Sequence, residues 1–304
     1  MKILVTGGAG FIGSNLTERL VEEGHKVVVL DNINDKFSLG KIENLEKVKN
    51  KITFVDGDLR NEEDVNKAGK GCEVIFNQAA ASSSPMFHED VAAAVKTNTD
   101  GFVNVLECGR KNNAKVIYAS TSSVYGNNPT PLNENQKIIP PNIYAVTKFF
   151  NENVARLYNQ LYGIHCIGLR YMSVYGHNEK GKGEFANLAS QFLWKMQNGE
   201  KPVLYGDGSQ KRDFTFVKDI VKANVLAIKH EGEDVFNVGT GESVSLIDLV
   251  GIINKILGTN IEPEFVENKV KNYINDQKAD LTKIREKLGY EPEYDLEKGL
   301  REIS

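Results

Sequence analysis

Cysteine and histidine are scarce in this 304-residue chain, and those present follow no disulfide or metal-binding spacing. The three cysteines, Cys72, Cys108 and Cys166, are odd in number and far apart, which indicates reduced thiols in a reducing compartment. Five scattered histidines form no zinc motif, so we expect no metal. Met1 leads straight into an apolar strand with no room for a signal peptide, and we therefore expect a cytoplasmic protein.

Long apolar runs and an excess of one charge are also absent. No apolar run approaches the roughly 18 residues of a membrane span, so we expect no membrane association. The net charge is −4, with basic residues spread along the chain, so nucleic acid is not an expected partner. An apolar content of 40% is typical of a globular protein, and the length accommodates one large or two modest domains.

The first 31 residues carry the strongest local pattern. An apolar run at 2–6 is followed by Gly-Gly-Ala-Gly-Phe-Ile-Gly at 7–13, helical periodicity at 14–23, a second apolar run at 26–30 and then Asp31. Strand, glycine turn, helix, strand and acid in this order are typical of a dinucleotide-binding unit. A purely structural turn is the alternative.

Each glycine of this turn has its own expected role. Gly7 permits the tight turn, Gly10 lets backbone N–H groups approach a pyrophosphate, and Gly13 lets the helix lie close to the strand. The pyrophosphate then lies at the positive end of the helix. Asp31 is placed to bind the adenine ribose hydroxyls and would repel a 2′-phosphate, which favours NAD over NADP.

Strands and helices alternate through the following residues. We predict strands at 51–55, 73–77, 115–119 and 164–170, helices at 91–111 and 144–162, and a loop with a short helix at 32–50. This alternation predicts an α/β fold with a Rossmann-type, doubly wound parallel sheet. The small residues Gln78, Ala79 and Ala80 after the fourth strand would let a ligand lie flat across the sheet edge; the alternative is a helix start.

The chain changes character after Gly176, where a polar, glycine-rich stretch begins. We predict helices at 185–198, 217–229 and 246–257 and strands at 202–205, 235–238 and 261–266. This part is too interrupted for a second nucleotide fold. We therefore expect an NAD-binding domain at 1–176 and a smaller carboxyl-terminal α/β domain at 177–304 that binds substrate, with residues of about 213–240 packing back on the first domain.

Tyr144 and Lys148 lie four residues apart, on one face of a predicted helix. An ammonium near a phenol favours the phenolate, so we expect Lys148 to lower the pKa of Tyr144 and make it a general base for an alcohol proton. Thr121, at the end of the fifth strand, would hydrogen-bond the same alcohol. The alternative is a solvated helix face.

These motifs together resemble the extended short-chain dehydrogenase/reductases, in the nucleotide-sugar epimerase and dehydratase group. The resemblance rests on segments 6–13, 121–126, 144–148, 169–176 and 206–214, and it extends to about residue 280. It implies NAD as cofactor, a UDP-sugar substrate, and Thr121, Tyr144 and Lys148 as catalytic residues. It also implies a homodimer built on the helices at 91–111 and 144–162.

Carried over by position, the resemblance implies two sets of binding residues. The NAD site would include Gly7, Gly10, Phe11, Ile12, Gly13, Asp31, Asn32, Asp58, Leu59, Gln78, Ala79, Ala80, Asn98, Tyr144, Lys148 and Met172. The sugar-nucleotide site would include Ser82, Thr121, Ser122, Ser123, Ser173, Asn187, Tyr205, Arg212 and Gln277. Ser173 replaces the usual Asn, and no Arg-x-Gly-Asp segment follows, which leaves Lys269 or Lys271 as a candidate second phosphate ligand.

The residues after Thr121 discriminate between reactions within the group. Dehydratases of the group have Asp-Glu there and UDP-glucuronate decarboxylases have Glu in the second place, whereas this chain has Ser122 and Ser123. The resemblance then implies 4-epimerisation of a UDP-hexose by oxidation at C4, rotation of the 4-keto sugar and re-reduction. Small polar residues favour UDP-GlcNAc/UDP-GalNAc over UDP-Glc/UDP-Gal. The alternatives are an epimerase for UDP-glucuronate or a heptose, and a non-catalytic NAD-binding regulator.

Overall fold

A computed structural model describes residues 1–33, 41–269 and 271–304 of the chain. The strands are β1 (Lys2–Thr6), β2 (Lys26–Asp31), β3 (Ile52–Asp56), β4 (Val74–Asn77), β5 (Lys115–Thr121), β6 (Cys166–Tyr171), β7 (Ser173–Tyr175), β8 (Val203–Tyr205), β9 (Lys211–Arg212), β10 (Phe214–Phe216), β11 (Glu233–Val238), β12 (Val244–Ser245) and β13 (Glu264–Val266). The helices are α1 (Phe11–Glu22), α2 (Glu62–Gly69), α3 (Val91–Asn98), α4 (Asp100–Asn112), α5 (Ile143–Tyr162), α6 (Leu188–Gln197), α7 (Val217–Ala227), α8 (Leu246–Leu257), α9 (Thr282–Leu288) and α10 (Leu296–Ile303).

Seven parallel strands form the central sheet, in the order β11-β6-β5-β4-β1-β2-β3. The chain runs from β1 outward through β2 and β3, and then returns to build the other half from β4. All residues of β4 and β6 are buried, as expected for strands covered by helices on both faces. The prediction of a doubly wound parallel sheet is confirmed. Its topological switch lies between β1 and β4, where such sheets bind their ligands.

The helix predicted at 91–111 is two helices, α3 and α4, and the prediction of one continuous helix was wrong. The break is at Thr99, whose hydroxyl donates to the carbonyl of Val95 at 2.8 Å. The alternative that the alanine run after β4 begins a helix was also wrong, because residues 78–80 are extended or bent and α3 begins only at Val91. Its N-cap is Asp90, whose carboxylate accepts from the N–H of Ala93.

Several other boundaries differ from the predictions. The helix predicted from residue 185 begins at Leu188, because the Asn187 side chain caps it. Helices α2, α9 and α10 were not predicted, and the last strand is shortened to Glu264–Val266. Of the loop predicted at 32–50, residues 34–40 lie outside the described residues, and the 3-10 turn at Ile42–Leu45 is the short helix expected there.

The carboxyl-terminal part has a hydrophobic core of its own. Apolar side chains of α6, α8 and α10 pack together around residues such as Phe192, Leu249 and Leu300. By contrast, β11 extends the central sheet beyond β6, and Ile220 and Ala223 of α7 belong to the core of that sheet. Ile284 and Tyr290 join the same core. We therefore propose the domain division predicted above, with the segment around 279–290 added to the parts that pack back.

Candidate active site

The glycine turn between β1 and α1 is built by close backbone approaches. Gly7 has φ +66°, which favours glycine, and its carbonyl accepts from the Gly10 N–H at 3.0 Å. A Cβ on Gly13 would lie 2.0 Å from the Gly7 oxygen, and a Cβ on Gly7 would lie 2.6 Å from the Ala79 nitrogen. Larger side chains at these two positions would force the turn, α1 and the end of β4 apart.

A cleft with about 1110 Å³ of empty space opens above this turn, at the switch point of the sheet. Thirteen of the sequence-predicted residues line it: Gly7, Gly10, Phe11, Ile12, Gly13, Asp31, Asn32, Asp58, Leu59, Gln78, Ala79, Ala80 and Ser82. Other lining residues were not predicted, among them Arg60, Met86, Ala94, Thr97 and Lys182. The small residues Ala93, Ala94 and Thr97 on one face of α3 were a usable signal, whereas Lys182 arrives from a distant segment.

Asp31 at the end of β2 is 7% exposed, and its carboxylate accepts from the backbone N–H of Ala9 at 2.8 Å. Burial raises its pKa above the ordinary value, while the hydrogen bond from Ala9 acts in the opposite direction. The carboxylate therefore fixes the glycine turn to β2 and also presents negative charge inside the cleft. A ligand with ribose hydroxyls fits this position better than one with a 2′-phosphate.

Asn98 and Met172 are not among the described residues that line the cleft. The Asn98 side chain is 2% exposed, accepts from the Ala81 N–H, and donates to the Ala81 carbonyl and the Thr147 hydroxyl. Its hydrogen-bonding groups are thus engaged in holding the loop after β4. Met172 is a core residue, 5% exposed. Asn98 thus supports Ala81 of the cleft wall, and Met172 contributes to the core of the sheet.

Three predicted catalytic residues, Thr121, Tyr144 and Lys148, are not among the described residues that line the cleft, but they lie beside it: Tyr144 packs against the apolar cluster that contains Met86 and Ala94 of its wall. Thr121 ends β5, its hydroxyl accepts from the Ser123 N–H at 3.1 Å, and it lies close enough to the phenol of Tyr144 on α5 to influence the pKa of that phenol. The Tyr144 ring packs edge-on against Phe87, with 6.0 Å between ring centroids. The Ser123 N–H thus holds the threonine hydroxyl and Phe87 supports the phenol, and their proximity allows a shared contact with one alcohol.

Lys148 lies one helical turn after Tyr144 and is 2% exposed. Its Nζ donates to the carbonyl of Ala119 at 2.9 Å, and desolvation lowers its pKa to about 8. The expectation that Lys148 lowers the pKa of Tyr144 was wrong for this structure. Burial raises the pKa of Tyr144, and only the nearby Thr121 hydroxyl acts to lower it. The phenol is thus held as a neutral acid.

A buried polar network supports the end of β5 from below. Glu152 accepts from the Ser120 hydroxyl and forms a two-point salt bridge with Arg170, whose Nε and Nη2 lie 2.9 and 2.7 Å from the carboxylate oxygens. Arg170 also donates to the Tyr125 hydroxyl at 2.7 Å, which donates in turn to Asn237 of β11. This network was not predicted, because its members come from distant segments of the chain.

The predicted substrate residues come from both parts of the chain, five of the nine from 1–176 and four from 177–304. Gln277 donates to the hydroxyl of Ser122 at 3.1 Å, so these two residues form one buried pair. The Arg212 guanidinium lies 5.2 Å over the ring of Tyr273, and that ring meets Tyr205 edge-on at 6.2 Å. Tyr273 had no sequence signal, and it brings an aromatic face and a cation together.

Other predicted substrate residues have structural contacts. The Asn187 side chain accepts from the Ala189 N–H at the start of α6, and Ser173 is a half-buried residue of β7 whose N–H donates to the Asp213 carbonyl. Ser123 is half-buried beside Thr121. Lys269 is 82% exposed and pairs with Glu267. Neither it nor the exposed Lys271 is among the described residues that line the cleft.

The fold and this cleft define an NAD-binding enzyme of the short-chain dehydrogenase/reductase type. The chain belongs to the NAD dependent epimerase/dehydratase family, whose model matches residues 3–239. It is 36% identical over 315 residues to a putative UDP-glucose 4-epimerase of Methanocaldococcus jannaschii, covering 99% of this chain and 96% of that protein.

Solved structures of two related proteins superimpose over nearly the whole chain. One is the UDP-glucose 4-epimerase of Thermotoga maritima with UDP-glucose, at a TM-score of 0.92 and 34% identity, covering 99% of this chain and 97% of that one. Another is a UDP-N-acetylglucosamine 4-epimerase of Methanobrevibacter ruminantium in complex with UDP-N-acetylmuramic acid, at 0.92 and 33%, covering 99% and 96%. The predicted family resemblance is confirmed.

NAD is the cofactor of this family, and the residues of the cleft fit it. Side chains at Gly7 and Gly13 would collide with backbone, so the turn is tightly packed, and the open cleft lies above it. Asp31 supplies the carboxylate for a ribose, and buried Lys148 has a single hydrogen bond, to Ala119, among the described residues.

Across the described ranges, no helix is long and apolar enough to cross a membrane.

Proposed function

We propose that the protein interconverts the C4 epimers of a UDP-hexose, using bound NAD. The observation that carries the proposal is the proximity of the Thr121 hydroxyl and the Tyr144 phenol, with Lys148 on the same helix as Tyr144, beside the dinucleotide cleft. When bound, NAD supplies the oxidation and re-reduction of the sugar carbon. Two solved structures with this fold are 4-epimerases of UDP-sugars, which supports the same reaction here.

The chain's own residues then transfer one proton. Tyr144 accepts the proton of the substrate 4-hydroxyl and returns it, while Thr121 orients that hydroxyl by a second hydrogen bond. The phenol has a raised pKa in this structure, so the cationic form of Lys148 would have to favour the phenolate during the reaction. Since burial lowers the Lys148 pKa to about 8, its charged form persists at neutral pH.

Elimination and decarboxylation are less well supported than epimerisation. Dehydratases of this group have Asp-Glu after the catalytic threonine and decarboxylases have Glu in the second place, whereas Ser122 and Ser123 provide no acid. Ser122 is 3% exposed, and its hydroxyl accepts a hydrogen bond from Gln277. The group at that contact is therefore an amide and not a carboxylate. Oxidation followed by re-reduction needs no such acid.

For the sugar, we propose UDP-GlcNAc/UDP-GalNAc first and UDP-Glc/UDP-Gal second. Ser82, Ser122, Ser123 and Gln277 are small or medium and polar, which leaves room for a 2-acetamido group. A neighbour in structure is a UDP-N-acetylglucosamine 4-epimerase, and another is a UDP-glucose 4-epimerase, so both sugars have a precedent. UDP-glucuronate and a heptose nucleotide are the alternatives.

The test is product analysis with each of these sugar nucleotides, followed by Tyr144→Phe. We expect C4 epimers to form, and the variant to lose at least about 100-fold in turnover, as loss of a general base does, while it still binds NAD. Tyr162→Phe, on the exposed end of the same helix, is the matched control and should retain activity. Inertness towards all UDP-hexoses would contradict the proposal. Full activity of Tyr144→Phe would remove Tyr144 from the mechanism.

We also propose that the protein is a homodimer that associates through α5. Ile143, Val146, Phe150, Leu157 and Leu161 are 40–69% exposed and recur at helical spacing along this helix. An exposed apolar stripe of this kind is typical of an interface between protein chains. A second copy can cover the stripe symmetrically, because the same surface is present on both chains.

A further inference from the structure

The segment 177–185, which we call the strap, crosses from the carboxyl-terminal part onto the first turn of α1. The Asn15 side chain donates to the His177 carbonyl at 3.0 Å, and the Asn178 side chain donates to the Ser14 hydroxyl at 3.0 Å. Further along, the Lys182 ammonium lies 5.7 Å over the ring of Phe11, the first residue of α1. The strap therefore follows α1 towards the glycine turn.

A buried carboxylate anchors the strap at its base. Glu179 is 1% exposed and accepts from the Asn187 N–H at 2.7 Å, from the Ser190 hydroxyl at 2.5 Å and from the Gly176 N–H at 3.4 Å. These donors lie on both sides of the strap. Glu179 thus closes the segment into a loop of fixed position, and it does so without a salt bridge to Lys182 in the described parts of the chain.

Lys182 differs from the other cation that lines the cleft. Arg60 is committed to Asp58, with 2.9 Å between its Nε and Oδ1. The Lys182 ammonium lies over the Phe11 ring and interacts electrostatically with the more distant carboxylate of Glu179. Among the described residues it has no hydrogen bond. It lines the cleft at the end of α1 where backbone N–H groups point outward.

We propose that Lys182 is a binding residue for the diphosphate of the dinucleotide, and that the strap retains the cofactor by holding this charge over the glycine turn. The diphosphate carries two negative charges, and the Gly10 turn offers it only neutral N–H donors. A lysine ammonium supplies the missing positive charge and can form charge-assisted hydrogen bonds. The inference rests on the NAD site and is independent of the sugar that the enzyme epimerises.

The experiment is calorimetric titration of NAD-free protein with ADP-ribose, which contains the diphosphate, and with adenosine, which lacks it. For Lys182→Ala we expect the Kd of ADP-ribose to rise at least about 10-fold, the effect of losing a hydrogen bond to a charged group. Adenosine should bind as to the wild type. Lys182→Arg should restore most of the affinity, and Lys180→Ala, an exposed lysine of the same strap, is the matched control.

Two outcomes would overturn the proposal. An equal loss for ADP-ribose and adenosine would show that Lys182 supports the fold of the cleft only. Unchanged binding of ADP-ribose would show that Lys182 does not bind the diphosphate. Because these titrations contain no hexose, neither outcome bears on the proposed epimerisation.

Discussion

Replacing Lys148 by Met should stabilise the NAD-free protein while abolishing its activity. The ammonium is 2% exposed, with one hydrogen bond, to Ala119, and burial lowers its pKa from 10.5 to about 8. Such a shift corresponds to a cost of about 3 kcal/mol for the charged form in the folded state. The Met variant also loses the hydrogen bond to Ala119, which offsets about 1–2 kcal/mol of the stabilisation gained by removing the buried charge. The net gain at pH 7 is therefore about 1–2 kcal/mol.

The sign of the pH dependence follows from the lowered pKa. Between pH 8 and about 10.4 the unfolded chain still binds the proton at Lys148 while the folded chain has released it, so wild-type stability rises with pH. The advantage of the Met variant should therefore be largest at pH 7 and shrink as the pH approaches 10. At neutral pH we expect a rise in Tm of about 2–6 °C.

The assay is thermal unfolding of both NAD-free proteins at pH 7 and 9.5, together with turnover at pH 7. Lys180→Met, at an exposed position, should leave the Tm unchanged at both pH values. A Tm of the Lys148→Met variant below that of the wild type, with a difference independent of pH, would refute the reasoning. It would show that the folded protein holds the ammonium without a desolvation cost.

Three further predictions concern the cofactor turn, the buried network and the dimer. Gly13→Ala places a Cβ 2.0 Å from the Gly7 oxygen, so it should cost about 3 kcal/mol of stability and remove NAD from the purified protein, measured by melting and by nucleotide content. Glu152→Gln leaves the Arg170 charge buried without its partner and should cost about 3–5 kcal/mol in denaturant unfolding. Leu161→Glu introduces charge on the apolar stripe of α5 and should shift the protein from dimer to monomer in sedimentation.

Each of these three has a control on the same chain. Gly251→Ala adds a Cβ in open space on α8 and should be tolerated. Glu107→Gln removes a half-exposed carboxylate from an ion pair within α4 and should cost less than about 1 kcal/mol. If Gly13→Ala retains NAD, or Glu152→Gln costs no more than Glu107→Gln, the respective interpretation fails. A Leu161→Glu dimer would place the interface elsewhere.

Local sequence patterns predicted most strands of the sheet and about half of the residues that line the cofactor cleft. The glycine turn and Asp31 are separated by one helix and one strand, so spacing alone indicates their proximity. The predicted alternation of strands and helices gave the parallel sheet, since parallel strands require crossover connections. Where the chain turned without glycine or proline, prediction failed, as at Thr99 between α3 and α4.

The remainder of the site depends on contacts between distant segments. Asn98 matches a family position for NAD, yet its amide is engaged by Ala81 and Thr147, which no spacing reveals. Tyr273 and Lys182 reach their places through loops without periodicity. The pKa of Tyr144 is raised, opposite to the expectation, because burial outweighs the opposing influence of the Thr121 hydroxyl. The extent of burial, which sets such pKa shifts, depends on packing between distant segments and cannot be deduced from local sequence patterns.

β11, one of the two edge strands of the central sheet, is formed by residues that come late in the chain. β11 covers β6 along all six of its residues, from Cys166 to Tyr171, and these six are buried. A nascent polypeptide that has emerged only as far as Gly176 would expose that row of amide and carbonyl groups on an apolar strand, a surface prone to sticking to other chains. Synthesis must therefore pass Val238 before the nucleotide-binding half can be completed, and the first half cannot be expected to survive on its own as a separable module.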